Sequence, residues 1–508
     1  MQLRAYISLL VLLLFLPTSL GSQSIGGKIV IGGKVSIGWG TTGVPSEFTD
    51  LYTFQLSRLN NVYNNNVLTS WDGIVHEPPC QAIELTPADA LGIQQAGYYA
   101  TYVSPFVDRA ADIGVNCFKV QIGFPHLYRP YHDWLWNGAG CVYNSGGGCS
   151  SALADAHWNA EVAFWQQVRS DLTARGMKLN VQAAVQGSAG SEINNPSLAY
   201  YYDTIDWAAY KTGRTTNNVN VVTLVQPDYI NVMSEPTHEY LQVAGTDGNT
   251  RIPELTATPS NCATPGNIAT CNLEAKINEL WLAISAGLEA IPINHTTTKV
   301  AVGLATGVYD NLYIMQLEST FTNCDILDAH LHGITNTGTN DSIVQIITMA
   351  NLAISAGKGF GMNEESVDKS RPGSPGPTPN EQGGGGQAYI YDRQWYTFWN
   401  PDSNANNGVD LAFIRLMIAI CSWKAETGTV YYYSYSEPYQ FYHLYNYYNV
   451  PGCPPPSDSC AAGTITSMNS VAATANINSG QSTTSILTNI GLYYKNALAL
   501  TNGAVWNL

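Results

Sequence analysis

The sequence predicts an α/β protein: a (β/α)8 barrel with long loops after its strands and a short C-terminal appendage. Three observations predict it. Short apolar runs alternate with longer amphipathic stretches, strand then helix, eight times over. Several helix-to-strand junctions carry a glycine: Gly114 before Val115, Gly176 before Met177, Gly357 before Lys358 and Gly428 before Thr429. Glycine is the usual residue just past a helix end. The length, 508 residues, also fits one barrel with insertions.

In chain order the strands fall at 34–38, 117–123, 178–184, 229–233, 299–303, 326–329, 359–362 and 429–433. Helical periodicity covers 102–113, 156–175, 198–211, 273–290, 310–321, 342–356 and 409–423. The extra length follows strand ends, at 41–97, 125–155, 237–272 and 368–407. The last of these holds a Ser370-Arg-Pro-Gly-Ser-Pro-Gly-Pro-Thr-Pro run and four glycines at 383–386. A strand precedes it and a helix follows, so it reads as a lid rather than an interdomain linker. Loops after barrel strands build the active-site face, and long ones make a deep or covered cleft. Composition changes after Tyr448. Residues 28–450 therefore read as the barrel and 451–508 as a C-terminal extension. Its amphipathic run at 485–500 reads as a last helix packed on the barrel, or as a small appendage.

Composition narrows the function. The chain is 45% hydrophobic and 12% charged, which supplies a core and excludes a disordered chain. A net charge of −16 argues against binding a phosphate backbone. Tyr (31) and Gly (46) fill the gap left by the charges, a surface suited to neutral polar ligands.

The first residues read as a signal peptide over 1–21. Arg4 supplies the basic region, 6–16 the apolar run, and Ser19-Leu20-Gly21 the small-residue cleavage site before Ser22. The run is shorter than the ~20 residues a membrane span needs. Export makes disulfides the expected state of the ten cysteines. Cys141/Cys149, Cys262/Cys271 and Cys453/Cys460 each bracket a short polar loop and read as local staples. Cys80, Cys117, Cys324 and Cys421 bracket none; the last three sit in or beside apolar runs, as buried thiols do. No CxxC pair suggests structural zinc. Asn294-His-Thr and Asn340-Asp-Ser are glycosylation acceptors by pattern.

Two carboxylate motifs carry the chemistry. In Asp228-Tyr-Ile-Asn-Val-Met-Ser-Glu235-Pro236 an apolar strand ends on a Glu and a proline stops its pairing. In Gly357-Lys-Gly-Phe-Gly-Met-Asn-Glu364-Glu365 an apolar strand again ends on a Glu. Glu364 lies 129 residues after Glu235, the length of three strand–helix units. That spacing places the two on the fourth and seventh strands, across the barrel mouth. Carboxylates about 5–5.5 Å apart suit double displacement at a sugar carbon, and about 6.5–9.5 Å suits inversion. Glu365 competes with Glu364, since strand alternation turns only one of them inward; spacing favours Glu364. Glu437-Pro438 reads as a loop carboxylate.

On these motifs the chain resembles the clan A glycoside hydrolases, in particular the family five cellulase and mannanase group. The resemblance covers about 34–448 by order of elements. It implies Glu235 as acid/base and Glu364 as nucleophile, with no cofactor. Gly114-Val-Asn-Cys-Phe-Lys119 is similar to the family's Gly-x-Asn-x-Val-Arg, with Lys119 in place of Arg. Asp328-Ala-His330-Leu-His332 is similar to the sixth-strand His-x-Tyr, with His332 in place of Tyr. Tyr433 stands where a stacking Trp is common, and Gln182 where a His is usual. Ser234 replaces the Asn that bonds the sugar 2-hydroxyl, and its shorter hydroxyl implies weaker transition-state stabilisation.

Tryptophans in the post-strand segments, Trp39, Trp71, Trp134, Trp136, Trp395 and Trp399, suit stacking on sugar rings. His126 and His132 lie in an aromatic stretch, 124–136, read as a loop that they pack. The expectation is a secreted retaining β-glycosidase acting on a β-linked polysaccharide, a β-1,4-glucan or mannan, without metal, nucleic acid or membrane span. Two alternatives stand beside it. One is a non-catalytic carbohydrate-binding or cell-surface barrel. The other is a metal-dependent hydrolase using Asp328, His330 and His332, since His-x-His puts both imidazoles on one strand face.

Overall fold

The computed structural model describes residues 80–83, 114–143, 148–185, 196–237, 272–306, 311–332, 342–366, 430–435, 442–444 and 485–487, with single positions at 99, 104, 107, 108, 111, 239, 243, 252 and 254. Eight parallel strands close a barrel: β1 (Cys80–Ile83), β2 (Cys117–Gln121), β3 (Lys178–Gln182), β4 (Tyr229–Ser234), β5 (Lys299–Ala305), β6 (Ile326–His332), β7 (Gly359–Ser366) and β8 (Val430–Tyr435). Each pairs with the next in sequence, and β8 returns to β1. A separate antiparallel pair joins β9 (Tyr442–Leu444) to β10 (Ser485–Leu487). The run at 485–500, read as helical, therefore begins as a strand.

The first barrel strand is Cys80–Ile83, not 34–38, which lies outside the described residues. Four residues between prolines carry too little apolar pattern to stand out, whereas 28–38 is rich in Val, Ile and Lys at strand-like spacing. The other seven strands fall within a few residues of their expected places.

The described helices are α1 (Arg129–Asn137), α2 (Ser151–Ala174), α3 (Pro196–Tyr202), α4 (Trp207–Asn220), α5 (Asn272–Glu289), α6 (Asn311–Ser319) and α7 (Ser342–Ser355). Local chemistry explains three departures. Residues 129–137, expected as loop, form α1, which carries Pro130 in its first turn, where proline is well suited. A 3₁₀ turn, Ala139–Tyr143, follows it. α2 begins earlier than expected because the Ser150 side chain accepts the Leu153 N–H at 3.2 Å. The single helix read at 198–211 is two, because Asp206 accepts the Ala209 N–H at 2.8 Å and starts α4. The helix expected at 409–423 lies outside the described residues. α2 and α7 end on Gly176 and Gly357, both at φ +69°, where a side chain would be strained.

Apolar side chains of the strands and helices meet between the two layers and form the main core. The barrel interior is different. Lys119, Asn180, Asn231, Asp328, His330, Asn363 and Glu364 are all buried there or at its mouth. Gly303 makes room for one of them, since a Cβ at that position would lie 2.6 Å from Asp328 Cβ. Among the described residues no helix is long and apolar enough to cross a membrane.

Cys141 and Cys149 form the expected disulfide. Cys324 is a buried thiol, and burial pushes its pKa up to about 12. Cys117 is disulfide-bonded rather than free. Its apolar neighbours in sequence report burial and say nothing about a partner. The pairs Cys262/Cys271 and Cys453/Cys460, and Cys421, lie outside the described residues.

Candidate active site

The site sits where β4, β6 and β7 leave the barrel. Glu235 follows the last residue of β4 with φ at +51°, a left-handed conformation that costs a non-glycine residue about 1–3 kcal/mol. Its N–H donates to the Gly303 carbonyl of β5 at 2.9 Å, which holds it there. A register shift between Asn231 and Met233 precedes it. The Asn231 side chain accepts the Met233 N–H at 3.2 Å and stabilises that irregularity.

Glu364 stands on β7 beside a second irregularity. The register slips between Ala329 and His330 on the β6 side and between Met362 and Glu365 on the β8 side. Strict alternation is thereby broken: Asn363 and Glu364, adjacent in sequence, both reach interior groups. Asn363 Oδ1 accepts from Asn180 Nδ2 at 2.9 Å, and Glu364 Oε1 accepts from Lys119 Nζ at 3.0 Å. Lys119 also donates to the Asn363 carbonyl at 3.1 Å. Bulges re-aim side chains in this way near functional sites. Glu365 is buried as well, but it pairs with Leu331 of the outer core, whereas Glu364 pairs with His330 of the interior, so of the two acids Glu364 is the one that turns inward, as expected.

His330 links the carboxylates. Its Nδ1 lies 2.6 Å from Glu235 Oε1 and 3.8 Å from Glu364 Oε2, and its Nε2 lies 3.5 Å from Asp328 Oδ2. Burial disfavours its charge, but Glu364, Asp328 and Glu235 outweigh burial and raise its pKa well above the usual imidazole value. His330 is therefore an imidazolium that donates to Glu235. Burial raises the Asp328 carboxyl, opposed by His330, Lys119 and Asn231, whose Nδ2 donates to Asp328 Oδ2 at 2.6 Å. One oxygen of Glu235, one of Glu364 and a ring nitrogen of His330 all lie within 4.8 Å of one another.

Six expected site residues thus converge: Lys119, Gln182, Ser234, Glu235, His330 and Glu364. Gln182 Nε2 donates to Ser234 Oγ at 2.6 Å. His332 and Tyr433 lie on β6 and β8, with side chains outside the described residues, as Trp39 is entirely. Trp136 is buried against His157, ring centroids 3.4 Å apart, and so packs the fold rather than the cleft. His126 Nδ1 lies 2.8 Å from the buried Glu161, a packing role for that histidine.

The residues sequence reasoning missed are Asn180, Asn231 and Asn363 inside the barrel, and Arg214 with Glu239 behind β4. Asparagine is depleted in strands, so an Asn inside an apolar strand was the available signal for the first three. Nothing in the sequence pairs Arg214 with Glu239.

Among the described residues the cluster that could hold a cation is Glu235, His330 and Glu364; the set of Asp328, His330 and His332 includes a side chain outside them. A metal would compete there with the Lys119 ammonium on Glu364 and with the proton on His330, because ligating histidine must be neutral.

Fold and site together define a (β/α)8 barrel with a paired-carboxylate centre at the C-terminal ends of its strands. No family model matches the chain, and no curated protein matches it. Among solved structures it is similar to the catalytic domain of a glycoside hydrolase family 53 protein from Ignisphaera aggregans, at 13% identity, TM-score 0.36, over 74% of this chain and 88% of that one. It is similar to a beta-glucosidase from Exiguobacterium marinum, at 9% identity, TM-score 0.37, over 72% and 90%. It is also similar to a glycoside hydrolase family 5 enzyme from Prevotella bryantii B14, at 10% identity, TM-score 0.37, over 81% and 98%. Likenesses this distant carry no argument about chemistry, and the barrel stands on its own strand pairing.

Proposed function

We propose that the chain is a secreted retaining β-glycosidase that cleaves a β-linked polysaccharide, a β-1,4-glucan or mannan. The observation that carries the reading is the approach of Glu235 and Glu364 to within 4.8 Å, oxygen to oxygen, at the ends of facing strands. An approach of that order suits the ~5–5.5 Å between carboxyl groups used in double displacement better than the ~6.5–9.5 Å of inversion.

Glu364, paired with Lys119, stays a carboxylate and attacks the anomeric carbon. Glu235 gives its proton to the departing glycosidic oxygen as that bond breaks, leaving a glycosyl ester on Glu364. Glu235, now ionised, takes a proton from water, which attacks the same carbon and releases Glu364. His330 donates to Glu235 Oε1, which leaves Oε2 to carry the proton of the first step and to receive one from water in the second. Lys119 favours ionised Glu364 throughout and serves the leaving carboxylate. No step requires a cofactor.

The test is the anomer first released, read by NMR, with Glu235→Ala and Glu364→Ala assayed in azide. Retention, with azide restoring turnover to each variant as opposite glycosyl azide anomers, supports the reading. Full activity in both variants would sink it. One observation favours a second reading, a carbohydrate-binding barrel without turnover: the Ser234 hydroxyl, which would have to serve the sugar 2-hydroxyl, is already bonded to Gln182. Polysaccharide binding with no released reducing sugar would select that reading.

A further inference from the structure

Exposed aromatic surface gathers on the two segments that follow β2 and β3. Tyr143 and Tyr200 are 38% and 43% exposed, high for large rings, and they stack with centroids 4.1 Å apart and planes 11° apart. Tyr143 stacks in turn on Trp134, at 6.0 Å and 23°. Trp134 and Tyr143 belong to the segment between β2 and α2, and Tyr200 to the segment between β3 and α4. Both segments follow barrel strands, so the rings lie on the same end of the barrel as Glu235 and Glu364.

The stack is built in place. The Cys141–Cys149 disulfide pins the turn that carries Tyr143. Gly140 lets the Trp134 ring lie against that turn, since a Cβ there would sit 2.5 Å from it. Tyr201, beside Tyr200, packs on Tyr131 at 4.9 Å and Trp134 at 5.2 Å. The Tyr202 hydroxyl donates to the Phe124 carbonyl, just beyond the exit of β2. The Phe124 N–H donates to Ala184, two residues past Gln182, which holds Ser234 beside Glu235. Packed residues therefore run from the rings to the centre.

We propose that the Tyr143–Tyr200 stack is a platform for a pyranose ring of a neutral polysaccharide, outside the catalytic centre. The proposal rests on the carbohydrate reading above and gives that site a longer footprint on its substrate. Tyr200 is 43% exposed, and among the described rings it pairs only with Tyr143. A flat ring face meets the apolar C–H face of a pyranose, and the phenol edge meets hydroxyls. Nucleobases stack on tyrosines as well, but a chain of net charge −16 repels a phosphate backbone. The same charge opposes a second copy as occupant.

The test uses the full chain carrying Glu235→Gln, so that bound polymer survives. Binding to β-1,4-glucan and to mannan is measured by affinity electrophoresis, with and without Tyr143→Ala, Tyr200→Ala or Tyr200→Trp. In parallel, the same tyrosine variants without Glu235→Gln are assayed on a short aryl β-glycoside. The alanine variants are expected to weaken polymer binding about threefold to tenfold, Tyr200→Trp to keep it, and turnover of the short glycoside to stay unchanged. Unaltered polymer binding in both alanine variants overturns the platform, as does the absence of any polymer binding in the Glu235→Gln protein. An equal loss on the short glycoside also overturns it. A protein that turns over no glycoside, yet loses polymer binding in Tyr200→Ala, keeps the platform and discards the glycosidase reading.

Discussion

Lys119 Nζ lies 3.0 Å from Glu364 Oε1, and both groups are buried. An ammonium and a carboxylate withdrawn from water in this way each depend on the other. Removing one partner of a buried pair costs about 3–5 kcal/mol, because the survivor stays charged without compensation or must change protonation. Lys119→Met should therefore lower stability by that order and push the Glu364 carboxyl toward protonation. The acid limb of the kcat/KM profile should move to higher pH. Lys119→Arg keeps the charge and should retain more activity, though its planar head cannot copy the contact to the Asn363 carbonyl in detail. A pH profile and a denaturation midpoint for each variant check this. An unmoved acid limb in Lys119→Met would remove Lys119 from the catalytic argument.

His330 makes a second prediction, with the opposite pH sense. Its pKa is raised in the folded protein, by Glu364, Asp328 and Glu235 against the cost of burial. The stability it contributes is complete below the unfolded value of about 6.5 and fades as pH rises through the folded pKa. His330→Gln should flatten that decline, since no proton is lost from the variant. It should also reduce kcat/KM roughly 10²–10³-fold, the usual effect of removing one aimed donor. Unfolding curves of both proteins between pH 6 and pH 9 provide the check. Parallel stability profiles would contradict the charged state assigned to His330.

Much of this arrangement was legible, for identifiable reasons. Strands β2 to β7 are apolar runs bounded by turn residues, so they declared themselves. The four residues of β1 did not, because their place is set by pairing with Cys117–Val120 rather than by their own pattern. Glu235 and Glu364 stood out because a strand delivers each one and three units separate them. Alternation separates Glu364 from Glu365 as expected, but it does not foretell that Asn363 and Glu364 both reach the interior, because a register slip is a property of the pairing, invisible in either strand alone. The contacts of Asn180 with Asn363 and of Asn231 with Asp328 join residues 183 and 97 apart, and nothing local announces them.

Glu318, on α6, has both carboxyl oxygens buried without a hydrogen-bond partner. Burial holds its pKa well above the usual carboxylate range; the Asp328 charge adds to this and His330 opposes it. The folded protein therefore keeps a proton that the unfolded chain gives up near pH 4.3. Stability is complete below that pH and erodes as pH rises toward the folded pKa, by up to about 1.4 kcal/mol per pH unit. Glu318→Gln has the same shape and nothing to ionise. It should match the parent protein near pH 4 and exceed it at pH 8. Denaturant midpoints at the two pH values test this. A variant equally stable or less stable at pH 8 would refute the neutral carboxyl.

Arg214 anchors the exit of β4 from behind. Its two terminal nitrogens donate to Glu239 Oε1 at 2.6 Å, to the Tyr210 hydroxyl at 2.8 Å and to the Val232 carbonyl at 2.8 Å, with no exposure for either charged group. Val232 and Glu239 flank Glu235, whose left-handed backbone persists only if its surroundings impose it. Arg214→Met strands Glu239 in the interior and should cost about 3–5 kcal/mol. Adding Glu239→Gln removes the stranded charge, so the double variant should be more stable than Arg214→Met alone. A coupling energy of that sign, measured over the four proteins of the cycle, separates a paired role from independent packing. Recovery of stability should leave kcat depressed and KM little changed, because the two replacements relax the segment that aims Glu235 without touching substrate. A double variant with full kcat would show that the β4 exit holds Glu235 without this pair.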